Sequence, residues 1–219
     1  MLKGSFVDSL EDTKITKLKN GSEIRLNEDP LSIVKVSNGE VVASLKLQFP
    51  SSGYGGGSIY VSPSEKYILF LFYSGQSEEA FTLLTNNDEI SILYESGYLF
   101  GEAASYCFSE REDYLVQGLP YTCSEWWLPW IDGDVERDEE GYLYFPFGQI
   151  NILNIQNSNL EKHEIIIQPK SNWQPNQEGY NPFLSPEIIG NDILKVSWPW
   201  GNENFKLPIT GDIVIKLAG

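Results

Sequence analysis

Seven consecutive apolar or aromatic residues, 67–73 (Tyr-Ile-Leu-Phe-Leu-Phe-Tyr), constrain this chain more than any other stretch. The run is short, rich in aromatics and bounded by turn signals, so it reads as a strand buried on both faces rather than as a helix. Before it, Gly53, Gly55, Gly56 and Gly57 crowd into five positions and let the backbone turn sharply or approach a neighbour closely. Ser62-Pro63-Ser64-Glu65 then makes a turn, because proline presets φ for the first central position of a type I turn. After the run, Gly75-Gln76-Ser77-Glu78-Glu79 is a polar connection that opens on glycine, and residues 80–84 return as a second strand.

The unit recurs. Tyr60-Val61-Ser62 precedes Tyr67-Ile68 as Tyr106-Cys107-Phe108-Ser109 precedes Tyr114-Leu115-Val116, and Ser109 follows Ser62 by 47 positions. A looser copy runs from Phe183-Leu184-Ser185-Pro186 into residues 193–196, with Gly201-Asn202-Glu203-Asn204 as a turn and residues 205–207 as the return strand. A fourth leads from Asp138-Glu139-Glu140-Gly141 into residues 142–145. The segment Ser62-Pro63-Ser64-Glu65-Lys66-Tyr67-Ile68 resembles the Ser-Pro-Asp-Gly-Lys-Tyr-Ile turn and strand of WD-like β-propeller repeats, with Ser64-Glu65 standing where Asp-Gly would be. Propeller blades repeat about every 40–50 residues. The resemblance implies radially arranged antiparallel sheets that serve as a binding platform, in a small or incomplete propeller-like arrangement. It carries over no functional residue, since the matching positions are structural.

The rest of the chain is also strand-like. Asn20-Gly21 and Asn38-Gly39 are hairpin dipeptides between alternating stretches, residues 90–94 form a further strand, and residues 150–155 and 164–168 flank a turn at Asn157-Ser158-Asn159. No helical period extends over a dozen or so residues anywhere, so little helix is expected. The expectation is one all-β domain of antiparallel sheets, residues 1–219, whose last strand pairs with an N-terminal one. Residues 170–182, rich in proline and amides, read as an irregular connection.

Fifteen basic side chains stand against 31 acidic ones, a formal net charge of −16. That field repels phosphate backbones and anionic membranes, which argues against nucleic-acid and membrane partners and favours a basic protein. The N-terminus has no apolar signal core, and no stretch approaches the 18 or so apolar residues of a membrane helix. Cytoplasmic residence follows. Two cysteines, Cys107 and Cys123, are few enough to remain thiols there, although they could pair.

The candidate site is the segment that joins Trp126, Trp127 and Trp130 to the carboxylates Asp132, Asp134, Glu136, Asp138, Glu139 and Glu140. Tryptophan anchors interfaces and a carboxylate cluster draws cations, while the structural alternative is a core plug beside a solvated hairpin tip. Tyr54, Gln76, Glu78 and Glu79 lie on loops that could flank such a site. The acidic run fails as an EF-hand calcium loop, with Arg137 at the sixth position and Leu143 at the twelfth. With a single histidine, His163, read as solvated in a polar turn, neither zinc nor another metal is expected, and no cofactor motif is present.

Two functional classes remain. Small size, acidity and β-richness resemble, in type only, bacterial immunity proteins that neutralise a basic nuclease toxin, which implies a non-catalytic protein-binding module. The alternative is a carbohydrate or small-ligand binding protein, or a glycoside hydrolase in which the tryptophans stack on sugar and two carboxylates act.

Overall fold

The computed structural model describes residues 6–8, 14–48, 56–74, 78–96, 99–100, 104–120, 139, 145–169, 184–190, 192–198 and 201–217. Among them every regular element is a strand and there is no helix. Among the described residues no helix is long and apolar enough to cross a membrane. Residue contacts divide the chain into two compact units, Met1–Phe100 and Gly101–Gly219.

The first unit holds β1 (Phe6–Asp8), β2 (Ile15–Lys17), β3 (Glu23–Glu28), β4 (Leu31–Ser37), β5 (Glu40–Lys46), β6 (Gly56–Val61), β7 (Tyr67–Ser74), β8 (Glu78–Asn86), β9 (Ile90–Glu95) and β10 (Leu99–Phe100). Strands β2, β3, β4 and β5 form one antiparallel meander. The expected turn at Asn38-Gly39 closes β4 onto β5, with φ of 52° and 84° at its two residues. Both angles are positive, as a type I′ hairpin requires and as asparagine and glycine tolerate. A second meander runs β6, β7, β8, and both β9 and β10 pair with the far edge of β8.

Alternation in β3 and β4 turns Ile24 and Ile33 inward, each with no exposed surface, to pack in one core with Ile59, Ile68, Phe70 and Leu84 of the second meander. Burying each of the aliphatic side chains is worth roughly 1.5–3 kcal/mol. The run at 67–73 behaves as the sequence implies: Ile68, Leu69, Phe70 and Leu71 are all buried, so both faces of β7 are covered.

The second unit holds β11 (Ser105–Phe108), β12 (Tyr114–Pro120), β13 (Phe145–Asn154), β14 (Asn159–Pro169), β15 (Ser185–Ile189), β16 (Ile193–Trp198), β17 (Gly201–Lys206) and β18 (Ile213–Leu217). Strands β11 to β14 form an antiparallel meander, and β18 adds to β14 in parallel, Ile165 opposite Ile213 and Ile167 opposite Ile215. The last strand therefore takes β14 as its neighbour. A parallel pair needs a long crossover, and here the chain supplies it with β15, β16 and β17, a three-stranded antiparallel sheet. Val116, Ile150, Ile152, Ile165, Ile213 and Ile215 from the large sheet share a core with Ile188, Leu194, Val196 and Trp198 from the small one.

The recurrence at 47 positions is a repeated hydrogen-bond pattern. The Ser62 N–H donates to the Tyr67 carbonyl (3.0 Å), Glu65 N–H to the Ser62 carbonyl (2.8 Å), and Tyr67 N–H to the Ser62 hydroxyl (3.2 Å). In the second unit Ser109 N–H donates to Tyr114 (2.9 Å), Glu112 N–H to Ser109 (2.9 Å), and Tyr114 N–H to the Ser109 hydroxyl (3.0 Å). Glu65 and Glu112 share a left-handed backbone, φ 67° and 58°.

The looser copies are corrected. Ser185 and Pro186 lie inside β15, where they face Ser197 and Val196, and Gly201–Asn204 lies inside β17. The turn into β16 falls instead at Gly190, whose φ of 70° suits glycine. In the fourth copy residues 140–144 lie outside the described residues, and β13 begins at Phe145.

Candidate functional site

Of the residues singled out in the sequence, Trp126, Trp127, Trp130, Asp132, Asp134, Glu136, Asp138, Glu140, Tyr54 and Gln76 lie outside the described residues. Glu139 occupies an exposed turn. Glu78 and Glu79 are the first two residues of β8 rather than part of the loop before it, opposite Ser74 and Tyr73 on β7.

Within the second unit, three polar side chains line up across neighbouring strands in the interior. Tyr106, Gln117 and Asn151 occupy facing positions on β11, β12 and β13 and are 0%, 1% and 0% exposed. The Gln117 amide donates to the Tyr106 hydroxyl at 2.8 Å, and the Asn151 amide donates to the Gln117 carbonyl oxygen at 2.7 Å. The Asn151 Oδ1 ends this ladder buried and, among the described residues, without a hydrogen-bond partner. Local propensity gives no warning of it, since Gln117 and Asn151 sit amid ordinary strand residues. The only sequence signal is a polar residue at an inward position of a β-period pattern.

At the end of the same sheet, Tyr114, Asn154, Asn157, Asn159, Glu161 and Pro208 are among the walls of an open cleft of about 120 Å³. Its asparagines are committed to local turns: Asn154 Oδ1 accepts from Gln156 N–H (3.0 Å) and Asn157 Oδ1 from Asn159 N–H (3.1 Å). Glu161, about half exposed, lies with Oε2 3.9 Å from His163 Nε2. His163 corrects the reading of a solvated turn residue. It sits within β14, 5% exposed, and its Nδ1–H donates to the Gly211 carbonyl at 2.9 Å, which leaves Nε2 buried and, among the described residues, without a hydrogen bond. The polar letters around it mark the outward positions of a strand, which sequence alone does not separate from a turn.

Cys107 is a free thiol in the apolar core. Burial pushes its pKa up to about 12, against a backbone hydrogen bond from Ile188 that lowers it, so it is a packing residue and a poor nucleophile. Among the described residues no group of three histidine, cysteine or acidic side chains could hold a metal ion.

No family model and no curated protein matches this chain. Among solved structures it is similar to the selenomethionine-substituted virginiamycin B lyase from Staphylococcus aureus, at 12% identity over 94% of this chain and 75% of that one, with a TM-score of 0.31. At that score the likeness assigns no activity.

Proposed function

We propose that this protein is a non-catalytic binding module that captures a basic protein partner in the cytoplasm through an acidic surface, as an immunity-type protein does. The observation that carries the reading is the excess of 31 carboxylates over 15 basic side chains, six of them packed into residues 132–140. Glu139 of that run is exposed, and so are Asp88, Glu89 and Glu110 on other turns. A field of this sign steers a cationic partner into encounter and weakens with salt. The carbohydrate or small-ligand alternative gains no support from the cleft beside Glu161. That cleft has one carboxylate and no tryptophan among its described walls, and its 120 Å³ falls short of the roughly 300 Å³ at which ligand pockets begin.

The test is capture from lysate at low salt with three proteins: the native chain, a variant with the six acids of 132–140 changed to their amides, and a control with Asp88, Glu89, Glu95, Glu110, Asp192 and Glu203 so changed. The expected result is one basic protein, released by salt, held by the native chain and the control but lost from the first variant. Equal retention by both variants, or no capture by the native chain, overturns the reading.

A further inference from the structure

The terminal strands of a sheet expose unpaired N–H and C=O groups, and folded proteins blunt them with bulges, proline, charge or polar side chains. Several of the terminal strands here follow that rule. Strands β5 and β9 each sit at a register irregularity, opposite Lys35/Val36 and Leu83/Leu84. Strand β15 contains Pro186, and β17 turns Asn202, Glu203 and Asn204 to solvent.

Strand β18 carries one such device, Lys216 near its end, and is otherwise regular. It pairs with β14 in unbroken register over all five residues, and no strand pairs with its other edge among the described residues. Its inward residues, Ile213 and Ile215, are 3% and 5% exposed, while the residue between them, Val214, is 51% exposed. An exposed valine at the middle of an open, regular edge invites a further strand.

The sequence of that edge, Asp212-Ile213-Val214-Ile215-Lys216, is complementary to itself when reversed. We propose that a second copy of this chain pairs with it, β18 against β18 in antiparallel, about a two-fold axis through Val214. In that register Val214 faces its own copy, Ile213 faces Ile215 of the other chain on the buried side, and Asp212 faces Lys216 at both ends. Cross-strand pairs of opposite charge and of β-branched residues both stabilise an antiparallel ladder. Sliding the register by two residues either way separates both charge pairs and leaves one isoleucine pair in place of two. Within its own chain Lys216 already holds a contact and Asp212 Oδ1 accepts from the Glu164 N–H at 3.2 Å, and an ammonium with three donors and a carboxylate with two oxygens each have capacity for a further bond. An isologous contact of this kind closes on itself and stops at the dimer. The pairing is independent of the acidic-surface reading, since it draws on β18 alone.

Val214 is the position to test, because it is exposed and lies on the axis, so its replacement leaves the monomer fold in place. Sedimentation over a dilution series should show reversible dimers for the native chain. Val214→Lys and Val214→Asp should each weaken dimerisation by about tenfold or more, since each places like charges face to face. Mixing the two variants should restore a heterodimer, and circular dichroism should show both folded. A native chain that stays monomeric throughout, single variants that associate as well as the native chain, or a mixture that forms no heterodimer would each overturn the proposal.

Discussion

The hairpins β6–β7 and β11–β12 are two settings of one unit, and they differ where their surroundings differ. Each is locked by a buried serine, Ser62 or Ser109, that takes the N–H of the tyrosine five residues on. Positions 47 apart then part company. Ile59 faces Phe70 in the first hairpin, an apolar pair, whereas Tyr106 faces Gln117 in the second and opens the buried polar ladder. Leu71 of the first corresponds to Gly118 of the second, and a Cβ on Gly118 would lie 2.5 Å from the Leu184 carbonyl oxygen and 2.8 Å from the Pro186 ring. That same carbonyl accepts a hydrogen bond from the Ser105 hydroxyl. One local frame accommodates a large apolar side chain in one place and the backbone at the entry to β15 in the other. The turn and the strand pairing are local properties, and the identity of the inward residue is set by what packs on it.

The comparison breaks most readily at positions 71 and 118. Leu71→Ala should cost about 2–5 kcal/mol by leaving a cavity in the first hairpin. In the second, Gly118→Ala should cost about 1–3 kcal/mol for the opposite reason, because one added carbon meets the Leu184 carbonyl, which cannot move aside as a flexible side chain could. Urea melts of the two variants measure both. A Gly118→Ala protein as stable as the native one would mean that the close approach of β15 does not constrain the second hairpin.

A smaller effect sharpens the likeness. Ser62→Ala and Ser109→Ala each remove the acceptor for a strand N–H, and each should destabilise by about 1–2 kcal/mol. Near-equal losses in paired melts are expected if the two turns are one device. A loss confined to one of them would show that the shared geometry does not carry shared energetics.

The effect that is smallest at neutral pH is that of pH itself, and it belongs to the second hairpin alone, where Cys107 stands at the position Tyr60 occupies in the first. Burial raises the thiol from 9.0 to about 12, so folding favours the protonated form. The contribution is complete below pH 9.0 and is lost as pH rises through about 12, with no slope at neutral pH. In a Cys123→Ser background the remaining thiol should resist a thiol reagent at neutral pH until denaturant unfolds the second unit. Rapid labelling of the native protein would contradict its burial.

Much of the fold was legible because it is written in short-range signals. The run at 67–73, the Asn38-Gly39 dipeptide and the serine turn at 62 and 109 announce strands and hairpins within a few residues of themselves. The same signals misled where a local preference was overruled. Ser185-Pro186 reads as a turn but serves as edge-strand sequence, with the Pro186 ring against Gly118. The polar stretch around His163 reads as a turn but is the outward face of β14, with the imidazole turned in and held by Gly211. Of the candidate interface, the sequence gives the clustering of tryptophan and carboxylate, and the structure adds the exposure of Glu139.

By itself, the sequence determined the all-β class, the hairpin turns, the 47-residue recurrence and the acidic field, because each follows from residues close together or from a simple sum of charge. Tertiary structure decided which inward positions are apolar, polar or glycine, that β18 lies parallel to β14, and that its outer edge is regular and paired by no strand among the described residues. Those outcomes depend on which strands meet across long stretches of chain, and no local pattern of side chains records a neighbour that arrives from 48 residues away, as Ile213 does to Ile165, or from 79, as Leu184 does to Ser105.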